Sequence, residues 1–516
     1  MQNEYVHNLG CAFYRMADNR PDQPALIYPS GVSITYAALN ERSNKIARAL
    51  LERKIGHHSA VCIFNNKSVD AMASMIACLK VGAVYTNLDV NSPWQRVEKM
   101  LSRCRPDLVL VDEAGEEIRE GLRDSYDDRT TVLAETRFQD RLTELSGVNL
   151  PLTETVKGSD PAYIMFTSGS TGFPKGAVMS HANVLNFIGW ARETFHITRD
   201  DVLTNVNPIY FDNSVFDLYA SLFNGAAVCP IPGEITGRPK DLVACVGMLK
   251  CTLWFSVPSL LVYLLATKAL CREDFSAMRT IVFGGEGFPK SKLSELYGLF
   301  GDRIRLVNVY GPTECTCICS SYPITADDVK NVNDLAPLGF LAKNFGFHIA
   351  PMEGDGTGCG ELYLSGPNVG LGYYNDPDRT RYAFVQHPNH TQYRDIVYRT
   401  GDLVQLDEEG RLHFKGRVDN QIKHMGYRIE LEEIEAALNS LGYVHEAAVV
   451  YKRGKEGPGH IVAFVHGADQ VGEKQIRRDL TTLLPPYMVP RDVIVTGMLP
   501  RNVNGKVDRV SLRALA

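Results

Sequence analysis

The sequence has no CxxC pair; its twelve cysteines are scattered through 516 residues. A disulfide framework is therefore excluded, and a reducing, cytoplasmic setting is expected. The alternating cysteines at 315, 317 and 319 lack the two separated ligand pairs of a thiolate metal site. They are expected to line one face of a buried strand. Also missing is a basic stretch followed by an apolar core at the start: residues 1–11 read MQNEYVHNLGC, which is not the pattern of a signal peptide. Long hydrophobic runs are scarce. The longest, 251–267, is uncharged over seventeen residues, the lower limit for crossing a bilayer. Ser256, Pro258 and Ser259 interrupt it, so a buried strand over 253–257 leading into a helix that starts at Pro258 is expected instead. Positive charge is not in excess either. A net charge of −6 gives no global field to attract nucleic acid or an anionic membrane, and neither is expected as a partner. An anionic small molecule would need a local site.

What is present is strand–helix alternation. Apolar, β-branched runs at 60–64, 108–111, 163–166, 280–283 and 304–309 are separated by helix-like segments such as 36–51 and 68–81. That order predicts an α/β fold with parallel sheets covered by helices. Residues 113–160 are charge-rich and weakly periodic, which predicts peripheral, solvated structure. After about residue 356 the pattern changes to short strands with Gly-rich turns, then to a compact α+β unit. The predicted division is a large part over 1–417 and a small one over 418–516.

The strongest local signal is FTSGSTGFPKG at 166–176, which follows the apolar run 163–166. Its glycines (Gly169 and Gly172 among them) let backbone N–H groups converge on one anion. Thr167, Ser168, Ser170 and Thr171 add hydroxyl donors, and Lys175 adds a positive charge. This is the chemistry of holding polyphosphate. It is not a Walker loop, because Lys175 is followed by Gly176 and the glycine spacing differs.

The loop resembles the signature of the adenylate-forming superfamily, specifically the amino-acid adenylation domains of nonribosomal peptide synthesis. Further segments resemble that family in its order: ITYAAL at 34–39, LKVGAVYTNLD at 79–89, NVYGPTECT at 308–316 and GELYLSGPNVGLGYY at 360–374. YRTGDL at 398–403, GRVDNQIKHMGYRIELEEIE at 416–435 and NGKVDR at 504–509 complete the set. The resemblance covers essentially the whole chain. It implies a large N-terminal domain of α/β subdomains with a small β-barrel-like part, and a small mobile α+β C-terminal domain.

The resemblance also implies roles. ATP would be held by the 166–176 loop, by Gly285 and Glu286 near adenine, and by Tyr310 and Gly311, whose turn presents the tyrosine as a flat face. Thr313 would donate to the α-phosphate, Asp402 would accept from the ribose hydroxyls, and Arg417 would contact ribose and phosphate. Glu314 offers a hard carboxylate oxygen suited to Mg²⁺. Lys506, ten residues from the end, would reach the α-phosphate and the substrate carboxylate, acting with Thr167, Lys175 and Glu314 by positioning and electrostatic stabilisation. Asp419 would be the hinge of the small domain, and Gly426 would flank the path of a phosphopantetheine arm.

For the substrate, the resemblance places Asp212 opposite an α-ammonium, as a charge-assisted hydrogen bond requires. The remaining pocket positions become Asn213, Phe216, Ser256, Val282, Gly284, Val309, Cys317 and Ile318, with Lys506 at the carboxylate end. Apart from Asp212 and Lys506 none is charged, which favours a small or medium neutral amino acid. The implied reaction forms an aminoacyl-AMP with loss of pyrophosphate and then a thioester on a phosphopantetheinylated carrier protein acting in trans. The resemblance also leaves room for a small activator protein. Two departures, Thr86-Asn87-Leu88-Asp89 and Phe216-Asp217-Leu218-Tyr219, keep a second reading open. It is a D-alanine–carrier ligase of teichoic acid modification. A nucleotide-binding protein without ligase activity is a third reading, disfavoured by the retained Lys175, Glu314, Asp402 and Lys506. The chain is expected to hold one adenylation unit and no carrier segment.

Overall fold

The computed structural model describes residues 5–169, 172–331, 335–352, 358–452, 459–467, 471–501 and 507–516. Two large sheets organise the first part of the chain. In a seven-stranded sheet, Pro161–Thr167, Val84–Leu88, Ala60–Phe64 and Leu108–Val111 are neighbours in that order. In a nine-stranded sheet, Arg305–Tyr310, Thr280–Gly284, Leu253–Ser256, Val202–Asn205 and Ala227–Pro230 run side by side in parallel. These strands are buried and read as continuous apolar runs, as parallel strands covered on both faces must.

Helices Tyr36–Glu52, Val69–Val81 and His181–Phe195 pack with faces of both sheets in one core cluster. Val69–Val81 shows why it sits deepest. Its side chains from Ala71 to Val81 are all buried, Ser68 caps its start by accepting from Ala71 N, and Gly82 ends it in a left-handed turn. Even Lys80 is enclosed there, its ammonium held by Asn40 Oδ1, Ser43 Oγ and Asn44 Oδ1, each at 2.7 Å.

The third layer is a five-stranded antiparallel half-barrel. Gly360–Ser365 pairs with Gly346–Pro351 and with Ile396–Leu406, which in turn pairs with Phe384–Gln386 and Leu412–Arg417. Beyond it the hairpin Gln421–His424/Tyr427–Glu430 leads into helix Leu431–Asn439. A sheet of Glu446–Lys452, His460–His466 and Asp492–Thr496 then covers a core of its own, centred on Ile429, Ile434, Val449, Ala463 and Ile476. The α/β reading, the half-barrel and the small α+β unit thus agree with the sequence.

Three local expectations come out differently or more sharply. The uncharged run 251–267 resolves into strand Leu253–Ser256 and the nine-residue helix Pro258–Ala266. No helix among the described residues is long and apolar enough to cross a membrane. The cysteines at 315, 317 and 319 do not lie on a strand. Thr313–Cys315 is a 3-10 turn, Thr316 and Cys317 have φ of 61° and 73°, and the next strand begins only at Ser320. All three thiols are buried nonetheless. The charge-rich 113–160 segment contains amphipathic helices Glu116–Tyr126 and Thr136–Glu144, whose few buried residues, such as Ile118, Leu122 and Leu142, hold them to the surface.

Candidate active site

Strands from both large sheets end at one cleft, which encloses about 1170 Å³, part of it open solvent. Thr167 closes Pro161–Thr167 and Tyr310 closes Arg305–Tyr310, while Gly285 follows Thr280–Gly284; all three line the cleft. Carboxyl ends of parallel strands are where an α/β fold leaves backbone donors and loops free to meet a ligand.

The glycine-rich loop is the connection of an antiparallel hairpin in which Thr167 stands opposite Lys175. The strands therefore set both side chains at the loop's root. Thr167 Oγ1 is buried and has no partner among the described residues, a donor open to an acceptor. Lys175 is nearly enclosed, and burial, with Arg428 nearby, holds its ammonium below the usual lysine range against the pull of Glu314 and Glu430. Ser168 lines the cleft, and Gly169 and Gly172 belong to the described part of the loop. Ser170, Thr171 and Lys506 lie outside the described residues.

Glu314 is fully buried and accepts from Tyr373 Oη and from Arg428 Nη1, both at 2.7 Å. Burial alone would raise its carboxyl; the charges of Arg428 and Lys175 overcome that and bring it to about 2. One residue earlier, Thr313 Oγ1 donates to Asp212 Oδ2 at 2.5 Å. Burial raises the Asp212 carboxyl, and the Thr313 hydrogen bond only partly offsets it. No cationic side chain among the described residues forms an ion pair with Asp212. At the other end, Asp402 pairs with Arg417 across the half-barrel ladder and accepts from Tyr310 Oη at 2.6 Å. Arg417 also grips both oxygens of Asp419, at 2.6 and 2.7 Å.

Of the residues the sequence singles out for a nucleotide, Thr167, Ser168, Gly285, Tyr310, Gly311, Thr313, Asp402 and Arg417 line the cleft. Glu286 does not. One of its oxygens accepts from Ser259 N at 2.6 Å and the other from Gly426 N at 3.1 Å, so it joins a helix start to the incoming hairpin. Of the residues singled out for an amino acid, Asp212, Asn213, Val309, Cys317 and Ile318 are in the wall. Phe216, Ser256, Val282 and Gly284 stand behind it. Phe216 packs in the core on Phe255, 5.2 Å between ring centroids, and Phe255 reaches the cleft in its place. The Ser256 hydroxyl accepts from Trp254 Nε1 at 2.8 Å, and Val282 is fully buried. Gly284 faces the next strand, where a Cβ would meet Val309 O at 2.3 Å.

Several lining residues carried no role in the sequence: Arg96, Tyr487, Lys423 and Arg428 among them. Arg428 lies in the 416–435 motif, and the only local signal was an alternating Arg428/Glu430 pair on one strand face. Arg96 meets Glu433 in a buried ion pair, and Tyr427 stacks on Tyr487 with centroids 3.5 Å apart.

With this geometry in view, the class follows. The AMP-binding enzyme family matches residues 13–374, and its C-terminal domain family matches residues 433–506. The chain belongs to the AMP-binding enzymes and is an adenylate-forming protein, which implies the use of ATP. Among relatives, the L-proline–[L-prolyl-carrier protein] ligase of Pseudomonas fluorescens is 34% identical over 487 residues, covering 93% of this chain and 94% of its own. The D-alanine–D-alanyl carrier protein ligase of Bacillus cereus is 31% identical over 509 residues, 96% of this chain and 97% of its own. An artificially fused adenylation–PCP di-domain from Klebsiella oxytoca shares the fold, with a TM-score of 0.81 over 95% of this chain and 94% of that one at 22% identity.

Proposed function

We propose that the chain activates a small or medium neutral amino acid with ATP and transfers it to the phosphopantetheine thiol of a separate carrier protein. The observation that carries the reading is Asp212. It is a buried carboxylate without an ion-pair partner among the described residues, in the same cleft as the orphaned Thr167 hydroxyl and next to apolar Val309 and Ile318. Arg428 and Lys423 act on Asp212 only through space, without an ion pair, so a buried anion here still calls for a cationic ligand group, and an α-ammonium supplies one. Cys317, Asn213 and Phe255 add no charge to the pocket, which supports a neutral substrate side chain.

In the first step a carboxylate oxygen of the amino acid attacks the α-phosphorus of ATP, and the bond to pyrophosphate breaks. Thr167, the 166–176 loop and Lys175 would hold the departing phosphates, Thr313 would donate to the α-phosphate, and Lys506 would neutralise charge on that phosphate and the carboxylate. Glu314 fits a magnesium ion as a buried hard oxygen donor, and such an ion would neutralise phosphate charge when bound. Tyr310, Asp402 and Arg417 would take the nucleoside end. In the second step the thiol sulfur attacks the acyl carbon, AMP leaves, and the thiol proton is released. Asp419 would be the hinge and Gly426 would flank the thiol's path, with the division between domains at 417/418.

Amino-acid-dependent exchange of pyrophosphate into ATP tests this reading, with a panel that includes L-proline and D-alanine. Exchange with a neutral amino acid supports it, and no exchange with any amino acid would sink it. Exchange confined to D-alanine would favour the teichoic-acid reading, to which the Phe216–Tyr219 departure and the D-alanyl carrier relatives lend support. The same assay with a small activator protein added tests that further partner.

A further inference from the structure

Away from the cleft, one group of three metal-capable side chains comes together among the described residues. His387, His390 and Asp395 each place one ligand atom within 4.8 Å of the other two. All three lie in the segment 387–395, HPNHTQYRD, which joins strand Phe384–Gln386 to strand Ile396–Leu406. Its backbone is tied down at several points. His387 N donates to Asp395 O at 2.8 Å and closes the mouth of the segment. The Gln386 side chain braces it, donating to His390 O and Tyr393 O, each at 3.1 Å, and accepting from Asp395 N at 3.2 Å. The His387 and His390 rings are stacked with centroids 5.4 Å apart. His387 Nδ1 accepts from Asn389 N at 3.2 Å, a hydrogen bond long enough for a cation to displace. His390 Nε2 and Asp395 Oδ2 lie 3.0 Å apart, and these two side chains are only 19% and 31% exposed. His390 Nδ1 is buried and has no partner among the described residues, so no backbone group fixes which nitrogen carries the ring proton. A third imidazole, His348 on strand Gly346–Pro351, has its ring centroid 6.0 Å from that of His387.

We propose that His387, His390 and Asp395 form a binding site for a divalent transition-metal ion, zinc first among them. Two imidazoles and one carboxylate are a donor set for zinc rather than for magnesium, which takes oxygen ligands and keeps much of its water. The spacing fits as well. Around a tetrahedral ion with bonds of about 2.0–2.1 Å, ligand atoms stand roughly 3.3 Å apart. His390 Nε2 and Asp395 Oδ2 nearly match that separation while they share a proton. The ion takes the place of that proton, and the ring keeps one proton on the uncommitted Nδ1. His387 joins as the third ligand, leaving a fourth position for water, and His348 adds a further nitrogen donor at the rim. The site is remote from the chemistry of the cleft. None of its residues lines the cleft, and Asp402 lies seven residues beyond Asp395. Along an extended strand that is about 23 Å. Its effect is on the half-barrel. Phe384–Gln386 is an edge strand of only three residues, and an ion held from both ends of 387–395 pins it to Ile396–Leu406. The inference is independent of the proposed function.

The test uses the full chain, freed of metal by a chelator and titrated with zinc ion alone in a calorimeter, without ATP or amino acid. The wild type is expected to bind zinc saturably, with hydrogen exchange slowed over 387–395. His390→Gln and, separately, Asp395→Asn are expected to weaken that binding at least about tenfold and to remove the protection. Asp395→Asn keeps an acceptor for the His390 ring, so it carries the test if His390→Gln does not fold. Magnesium ion in about a hundredfold excess should leave zinc bound. Absence of saturable zinc binding in the wild type would overturn the site. Equal affinity and equal protection in wild type and variants would overturn it too, since the ion would then sit on other residues. Displacement by magnesium would overturn imidazole ligation. None of these measurements needs catalysis, so loss or retention of ATP–pyrophosphate exchange bears on the proposed function alone.

Discussion

Gly426→Ala separates the two half-reactions by geometry. Met425 and Gly426 form the two-residue turn between Gln421–His424 and Tyr427–Glu430, both with positive φ, 52° and 84°. An alanine at that φ costs about 1 kcal/mol, but this strain travels with the hairpin wherever the small unit sits. The contact made here does not. A Cβ on Gly426 would lie 2.7 and 2.8 Å from the two Cγ atoms of Val257 and 3.1 Å from its Cβ. Val257 is β-branched and caps helix Pro258–Ala266, so it has little room to withdraw. Overpacking of this kind costs about 1–3 kcal/mol, which lowers the seated population by roughly 5- to 150-fold. Single-turnover loading of a phosphopantetheinylated carrier should fall by that factor. Amino-acid-dependent ATP–pyrophosphate exchange, which does not need this seating, should stay within about threefold. Gly442→Ala, where a Cβ meets nothing within 4 Å, is the control. Unchanged loading, or a parallel loss of exchange, would refute the argument.

Two further outcomes follow from buried ionisable groups. Asp212→Asn should cost the amino acid about 2–4 kcal/mol of binding, a loss of roughly 30- to 1000-fold in kcat/KM for exchange, because the ammonium loses its counter-charge. ATP affinity measured by calorimetry should hardly change, and an equal loss for ATP would count against the assignment. His181 accepts from Leu9 N through Nδ1, and burial lowers its pKa from 6.5 to about 4, so the fold holds it neutral. Because the folded pKa is the lower one, its contribution is complete above pH 6.5 and fades as pH falls, reaching about 3 kcal/mol lost near pH 4. Urea unfolding from pH 7 to 4.5 should show a shallower loss of stability for His181→Gln than for the wild type. Identical slopes would show that His181 is not the group responsible.

Part of the site was legible in the chain because its elements are local. The loop 166–176 carries its glycines, hydroxyls and lysine within eleven residues, and the flanking apolar strands put Thr167 and Lys175 opposite one another. Asp402 and Arg417 came from the family resemblance instead, and the structure makes them partners in adjoining strands of one ladder. Alternation alone misjudged the three cysteines at 315–319, because the left-handed residues Thr316 and Cys317 break the strand geometry that alternation assumes. Pocket positions taken by resemblance divided according to depth. Val309 and Ile318 reach the cleft, whereas Phe216 lies behind Phe255, and side-chain depth depends on packing that no spacing encodes.

By itself the sequence determined the class of fold, the glycine- and hydroxyl-rich character of one loop and the family resemblance. Each of these is a property of neighbouring residues and of their period. Only the tertiary structure decided which charges meet. Arg428 and Glu314 are 114 residues apart, Glu433 and Gly169 are 264 apart, and Arg96 and Glu433 are 337 apart. Nothing local favours those pairs. They form because the hairpin turn at Met425 and Gly426 carries the small unit's charges into a buried cleft, where each must find a partner or remain desolvated without one.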